Sequence, residues 1–135
     1  MIHLGIDYGD VRTGVAVSDT MGVLASPVQV IQSDSRKKLL TALCAIAKER
    51  GAGAIVLGLP LNMDGSRGER AIGCEALAKQ LEARTGLPVV LWDERLSTVA
   101  AHRALSVVNV RGQKRKRVVD AVAAVMILQG YLDSR

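Results

Sequence analysis

The hydrophobic repeat changes once along the chain, and this change limits the folds open to it. Apolar and polar residues alternate over residues 2–8, as in a half-buried strand, and residues 12–18 and 23–31 are similarly short and rich in β-branched side chains. The connections between them, Gly9-Asp10 and Thr20-Met21-Gly22, are short enough for hairpins. The first three strands are therefore predicted to form an antiparallel meander.

Beyond residue 31 the pattern becomes strand and helix in alternation. Crossovers of this kind are right-handed and bring successive strands into parallel pairing, so the fifth strand should run parallel to the fourth and the first. Helices should then cover both faces of the sheet. The expected elements are a helix from Ser35 to Arg50, a strand at 54–58, a helix from about Glu69 to Thr85, a strand from Pro88 to Trp92, a short helix near Ser97 to Leu105 and a last helix from Arg117 to about Leu132.

These elements predict an α/β fold with a mixed five-stranded sheet, three antiparallel strands followed by two parallel ones. The length of 135 residues leaves room for a single domain, residues 1–135, which would bury about 70% of its unfolded surface. The longest uncharged apolar run, residues 121–132, is shorter than the roughly 20 residues that span a membrane. The N-terminus has no basic segment before its apolar residues, so we expect a cytoplasmic protein without a signal peptide.

The net charge of +5 is concentrated in one segment, residues 109–117. The other 13 basic residues balance the 13 acidic ones. A local basic segment on a neutral body is a candidate contact for nucleic-acid phosphates, and the alternative is a solvated loop. One Trp, two Tyr and no Phe argue against modules that stack bases on aromatic rings. The basic residues of the segment are Arg111, Lys114, Arg115, Lys116 and Arg117.

Acidic residues stand where two parallel strands end. Asp7 closes the first predicted strand and Asp93-Glu94 close the fifth, and in open α/β sheets ligands bind outside these carboxyl ends. Because side chains alternate along a strand, only one of Asp93 and Glu94 can share a face with Asp7. Asp120 is the one charge in a last helix that is otherwise apolar. Alternatively, Asp7 opens a turn and Asp120 stabilises a first helical turn through the helix dipole.

Converging carboxylates repel one another unless a divalent cation neutralises them, and oxygen ligands alone select Mg²⁺ or Mn²⁺. The pattern therefore predicts metal-dependent phosphodiester hydrolysis, which needs no nucleophilic side chain. His3 and His102 complete no recognisable Ser/His/Asp or Cys/His set. Cys44 and Cys74 fit no zinc-binding spacing and are interpreted as buried, reduced thiols.

Four motifs together resemble the YqgF/RuvX family of ribonuclease-H-like proteins over essentially the whole chain. The resemblance implies a ribonuclease-H-like fold and a nuclease that trims the 5′ end of pre-16S ribosomal RNA during bacterial ribosome maturation. Thr13 and Ser97 depart mildly from the pattern, where Ile and Thr are expected in many relatives. The motifs are Asp7-Tyr8-Gly9 followed by Arg12, Gly58-Leu59-Pro60 with Asn62 and Asp64-Gly65, Asp93-Glu94-Arg95-Leu96-Ser97-Thr98, and Asp120-Ala121-Val122-Ala123-Ala124 with Ile127-Leu128-Gln129.

The resemblance also implies residue roles. Asp7, Glu94 and Asp120 would be the catalytic, metal-binding acids, with Asp93 as the alternate for Glu94. Arg95 would face the substrate or brace the acids. Further substrate contacts are expected from Arg12, from Asn62 and from the basic segment: Arg111, Lys114, Arg115, Lys116 and Arg117. The expected partners are pre-ribosomal RNA and ribosome-assembly intermediates, and no membrane.

Other functions remain open from the sequence. A nuclease that resolves four-way DNA junctions would need two sites related by a two-fold axis, and a factor that binds nucleic acid without catalysis would tolerate loss of Asp7. Asp7-Tyr8-Gly9-Asp10 also resembles the first phosphate-binding turn of actin-like ATPases and sugar kinases. Those enzymes bind nucleotide between two related domains, and one domain is expected here. The loop after Gly58 also lacks the Gly-Lys-Ser/Thr ending of a P-loop.

Overall fold

The computed structural model describes residues 1–96 and 113–135, with the side chains of the second range described from residue 121 onward. Five strands form one sheet in the order β3-β2-β1-β4-β5. The first three pair antiparallel, and β1–β4 and β4–β5 pair parallel, which confirms the predicted mixed sheet. The strands are β1 (His3–Asp7), β2 (Arg12–Ser18), β3 (Ala25–Gln32), β4 (Ala54–Leu59) and β5 (Val89–Asp93).

In the described residues, three helices accompany the sheet: α1 (Arg36–Arg50), α2 (Glu69–Thr85) and α3 (Gln113–Asp133), with a 3₁₀ turn at Glu94–Leu96. The Ser35 side chain caps α1 by accepting the backbone N–H of Lys38 at 3.4 Å, as expected for an N-cap serine. Both α1 and α2 end at glycines in the left-handed region, with φ of 67° at Gly51 and 71° at Gly86.

The helices cover both faces of the sheet, as predicted. Leu4 and Ile6 of β1 pack with α1 and α2 in one core, because alternate side chains of a strand point to opposite faces. On the other face α3 lies directly on the backbone of β1. A Cβ placed on Gly5 would come within 2.6 Å of the Leu128 Cβ. The second core contains Ala16, Val56, Ala123, Ala124, Ile127, Leu128 and Leu132.

The last helix begins four residues earlier than its apolar pattern predicts, at Gln113 rather than Arg117. The residues between are good helix formers, so the helix extends towards Gly112 although they carry no apolar stripe. The short helix predicted near residues 97–105 lies outside the described residues. Among the helices that the structure describes, none is both long and apolar enough to cross a membrane.

Candidate active site

Asp7 lies at the carboxyl end of β1, in the middle of the sheet, and is only 4% exposed. Its position in the strand determines which face it occupies. Leu4 and Ile6 belong to the core under α1 and α2, so His3, Gly5 and Asp7 face α3. The sequence thus places a buried carboxylate on the α3 face, where the chain leaves the central strand.

Glu94 reaches the same face from β5. A Cβ placed on Gly58, at the end of β4, would lie 2.8 Å from Oε1 of Glu94 and 2.6 Å from Cδ1 of Ile127 in α3. The β1–β4 register pairs Ile6 with Leu57, so Gly58 stands level with Asp7. The Glu94 carboxylate therefore lies over the strand next to Asp7. The missing side chain of Gly58 leaves the room for it.

Asp93 is engaged elsewhere. Its carboxylate accepts the Nη2 of Arg95 at 2.8 Å and the backbone N–H of the same residue at 2.9 Å. The side-chain hydrogen bond from Arg95 holds the pKa of Asp93 below its ordinary value. Arg95 also donates to the carbonyl of Met63 at 3.3 Å, which ties the β4–α2 loop to the end of β5. Of the two acids between which the sequence left the choice open, Glu94 is the one on the Asp7 face.

The charges of both carboxylates contribute to the raised pKa of the Cys74 thiol. Its pKa is raised to about 12, mainly by burial and then by the negative charges of Glu94 and Asp7. Two acids that are far apart in the chain thus act on one buried group in α2. Cys74 and Cys44 are both free thiols, but Cys44 is only partly buried.

Asp120 lies at the end of the second turn of α3, seven residues after Gln113. The helix-dipole explanation of this acid is therefore wrong, because the stabilisation of an acid falls off within the first turn. The side chain of Asp120 lies outside the described part of the chain. Within that part, no three His, Cys, Asp or Glu side chains are grouped to hold a metal ion, and the predicted third ligand is not among those that could be tested.

A polar hollow of about 340 Å³ adjoins Asp7 at the β1–β2 turn. It is lined by Asp7, Tyr8, Gly9, Asp10, Val11, Arg12 and Arg70. Arg12 was expected near the substrate, whereas Arg70 carries no sequence signal. It is an exposed residue in the first turn of α2, and only the packing of α2 on the sheet brings it to this edge.

The other predicted substrate residues fall into two groups. Asn62 leaves the same edge of the sheet, in the β4–α2 loop, where its side-chain amide donates to the Ser66 hydroxyl at 2.9 Å. The basic segment was expected to be a loop up to the start of the last helix at Arg117. This prediction is partly wrong, because Lys114, Arg115 and Lys116 also lie on the first turns of α3. Their side chains, and all of Arg111, are outside the described residues.

His3 lies at the opposite end of β1 from Asp7. Its ring nitrogens contact the carbonyl of Met1 at 3.0 Å and the Nη1 of Arg135 at 2.9 Å. Burial, together with the positive charge of Arg135, lowers the pKa of His3 despite the hydrogen bond to Met1. The ring is thus held by structural contacts far from the carboxylates.

Comparisons with known proteins show the family and the fold of this chain. A family model described as "RuvX: Holliday junction resolvase" matches residues 1–134. A protein of Clostridioides difficile named "Putative pre-16S rRNA nuclease" is 49% identical over 130 residues, covering 96% of this chain and 92% of the relative. A protein of the same name from Bacillus pumilus is 49% identical over 133 residues, covering 97% and 96%.

Among solved structures, the fold is similar to that of T. thermophilus RuvC in complex with a Holliday junction substrate. The TM-score is 0.60 at 16% identity, and the match covers 99% of this chain and 96% of that one. At this identity the likeness speaks for the fold alone. The ribonuclease-H-like fold predicted from the motifs is confirmed.

Proposed function

This chain belongs to the RuvX family, and from that premise we propose that it is a metal-dependent nuclease that processes the 5′ end of pre-16S ribosomal RNA. The observation that carries the proposal is that Asp7 and Glu94 lie on one face of the sheet, at the carboxyl ends of β1 and β5, with the Glu94 carboxylate over Gly58 of the intervening strand β4. The name shared by the bacterial relatives supports this choice of substrate.

The two carboxylates fit a hard divalent cation. They come from distant parts of the chain and share one face of the sheet, and one of them is almost fully buried. Carboxylates that converge in this way repel one another unless a cation neutralises them. Ligands that offer only oxygen favour Mg²⁺ or Mn²⁺ over zinc. A cation bound there would supply an activated water and neutralise charge on the phosphate.

We assign Asp120 as the third acid of this site. Residue 120 precedes Ala124 by one helical turn and Ile127 by two, so the three positions fall on one stripe of α3. The backbone carbonyl of Ala124 lies over Gly5, and the side chain of Ile127 lies over Gly58. The stripe therefore runs above β1 and β4 and leads towards their carboxyl ends, where Asp7 and Glu94 lie.

Basic residues around the acids are suited to hold the nucleic acid. Arg12 and Arg70 line the hollow beside Asp7 and would position the phosphate next to the scissile one. The basic first turns of α3, residues 114–117, precede Asp120 on the same helix and would hold the strand close to the metal. The remaining assignment, Asn62, would contact the substrate from the β4–α2 loop at the same edge.

Resolution of four-way DNA junctions is the second candidate, favoured by the description of the family model. Symmetric cutting of a junction requires two active sites related by a two-fold axis. A stable dimer in solution would therefore favour it, and a monomer would favour the RNA substrate.

The test compares wild-type protein with Asp7→Asn and Glu94→Gln on a pre-16S precursor RNA and on a four-way junction, each with and without Mg²⁺ or Mn²⁺. We expect the wild type to cleave the RNA only with metal, and both variants to lose about 100-fold or more in rate while keeping their fold and RNA affinity. Glu49→Gln, an exposed acid on α1, removes the same charge away from the site and should cleave normally.

Normal cleavage by Asp7→Asn would overturn the assignment of the acids. Cleavage of the junction in preference to the RNA, by a dimer, would replace the first candidate with the second. Intact function of Asp7→Asn in cells would leave only a binding role.

A further inference from the structure

We propose that the groove between α1 and α2 extends the substrate site and holds the backbone of a single-stranded nucleic acid that leads away from the catalytic edge. The inference rests on the proposed nuclease function and deepens it, because it assigns a binding path outside the residues considered so far. The evidence for this path is a series of cationic side chains that starts next to Tyr8, the residue that follows Asp7.

The path begins at Tyr8, which follows Asp7 and lines the hollow at the β1–β2 turn. The guanidinium carbon of Arg36 lies 5.6 Å from the centre of the Tyr8 ring. Its Nη2 donates to the Tyr8 hydroxyl at 3.3 Å and to the carbonyl of Gly73 in α2 at 3.1 Å. Arg36 thus joins the catalytic edge to the start of both helices.

Two further hollows continue from Arg36 along the helices. One of about 450 Å³ is lined by Arg36, Lys37, Leu40, Gln80, Ala83 and Arg84. The next, of about 410 Å³, shares Arg84 and is lined also by Lys48 and Cys44, near the ends of both helices. Because the two hollows share Arg84, they form one groove that runs from Arg36 to the far end of α1. The contact between Arg36 and Tyr8 connects this groove to the catalytic edge.

The charge of the groove has a single sign. Four cations line the two hollows, and the residues that line them include no acid in the described part of the chain. Helix stability does not explain the first of these cations. Arg36 and Lys37 occupy the positive end of α1, where a cation is unfavourable. The phosphates of a strand bound in the groove would offset this repulsion.

The dimensions and lining favour one strand. The two hollows, of about 450 and 410 Å³, follow one another along a single pair of helices and are large enough for one phosphodiester backbone. The distance along α1 from Lys37 to Lys48 is about 16 Å at 1.5 Å per residue. The residues lining it are small or aliphatic between the cations, as at Leu40 and Ala83, and in the described part of the chain none is aromatic. The contacts would therefore go to phosphates and be independent of sequence.

The experiment measures binding of fluorescent oligoribonucleotides, about 4 and about 16 nucleotides long, in chelator-containing buffer so that no cleavage is needed. The groove variant combines Lys37→Gln, Lys48→Gln and Arg84→Gln. The matched control combines Lys38→Gln, Arg50→Gln and Lys79→Gln. It removes the same charge from the exposed surfaces of the same two helices, but none of its three residues lines either hollow.

For the longer RNA, the plot of log affinity against log salt should become shallower by about 2 in the groove variant, or about 0.7 for each lost phosphate contact. The control should change it by less than half as much, and neither variant should change binding of the short RNA. Equal effects of the two variants, or no effect of the groove variant, would overturn the proposal. The proposal would also be overturned if Lys37, Lys48 and Arg84 bound a duplex more tightly than the single strand.

The outcome is separate from that of the cleavage test. If the wild type cleaves nothing but the groove variant still loses affinity for the longer RNA, the nuclease proposal fails and the binding path stands. If cleavage is confirmed and the groove variant binds normally, only the path is wrong. With both confirmed, the groove variant should raise the KM for long RNA and leave kcat unchanged.

Discussion

The carboxylate of Glu94 occupies space that exists because residue 58 has no side chain. A Cβ at this position would lie 2.8 Å from Oε1 of Glu94 and 2.6 Å from Cδ1 of Ile127. Both atoms are ends of flexible side chains, so the protein can relax by moving them. Glu94 would then leave its place beside Asp7.

Gly58→Ala should therefore reduce both the cleavage rate and the stability of the fold. We expect a loss of about 10- to 100-fold in rate, as for displaced metal ligands, with a cost of about 1–3 kcal/mol in free energy of unfolding from overpacking. Initial cleavage rates and urea unfolding measure the two effects. Gly73→Ala, where a new Cβ would meet nothing closer than 3.8 Å, is the control. An unchanged cleavage rate in Gly58→Ala would show that Glu94 is not required where the structure places it.

At the residue scale the sequence predicted the acids but not their surroundings. The motif around Gly58 was visible, yet its role as room for Glu94 depends on the β1–β4 register. The choice between Asp93 and Glu94 could not be made from alternation, because a 3₁₀ turn begins at Glu94 and ends the strand pattern. Arg95, which holds Asp93, is part of the same short turn.

At the scale of elements, the arrangement of the site depends on the position of α3, because this helix lies directly on β1. Gly5 allows this close approach: a Cβ there would be 2.6 Å from the Leu128 Cβ and 3.2 Å from the backbone oxygen of Ala124. Unlike a flexible side-chain end, the helix backbone cannot move aside alone. A side chain at residue 5 must therefore lift α3 from the sheet.

Gly5→Ala should lower the free energy of unfolding by about 1–3 kcal/mol and also reduce cleavage, since α3 carries Asp120. Urea unfolding and cleavage rates again provide the measurement. Gly73→Ala replaces a glycine within α2 and should be neutral or stabilise by up to about 1 kcal/mol. If Gly5→Ala were as stable and as active as the wild type, the contact between α3 and β1 could not be as tight as described.

The ends of the elements were predictable where a cap marks them. Ser35 and Gly51 bound α1 and agree with the expected helix, and Gly86 ends α2 where predicted. The start of α3 was not predictable from apolar periodicity, because residues 113–116 are polar and helical. This early start changes the interpretation of Asp120, which lies beyond the reach of the helix dipole.

At the scale of the whole molecule, the strand order followed from the hairpins and from right-handed crossovers. The basic groove did not, because its cations are distributed over two helices that are separated in sequence by β4. Arg36 and Arg84 meet around the same hollow only after both helices pack on the sheet. Net charge alone pointed to residues 109–117 and gave no signal for this second surface.

Crystals of the wild-type protein soaked in Mn²⁺ would show whether Asp7, Glu94 and Asp120 together bind a divalent cation. We expect an anomalous scattering peak within about 2.5 Å of carboxylate oxygens from all three residues, and no peak there in Asp7→Asn crystals. Mn²⁺ bound elsewhere, or an Asp120 side chain directed away from the other two acids, would contradict it.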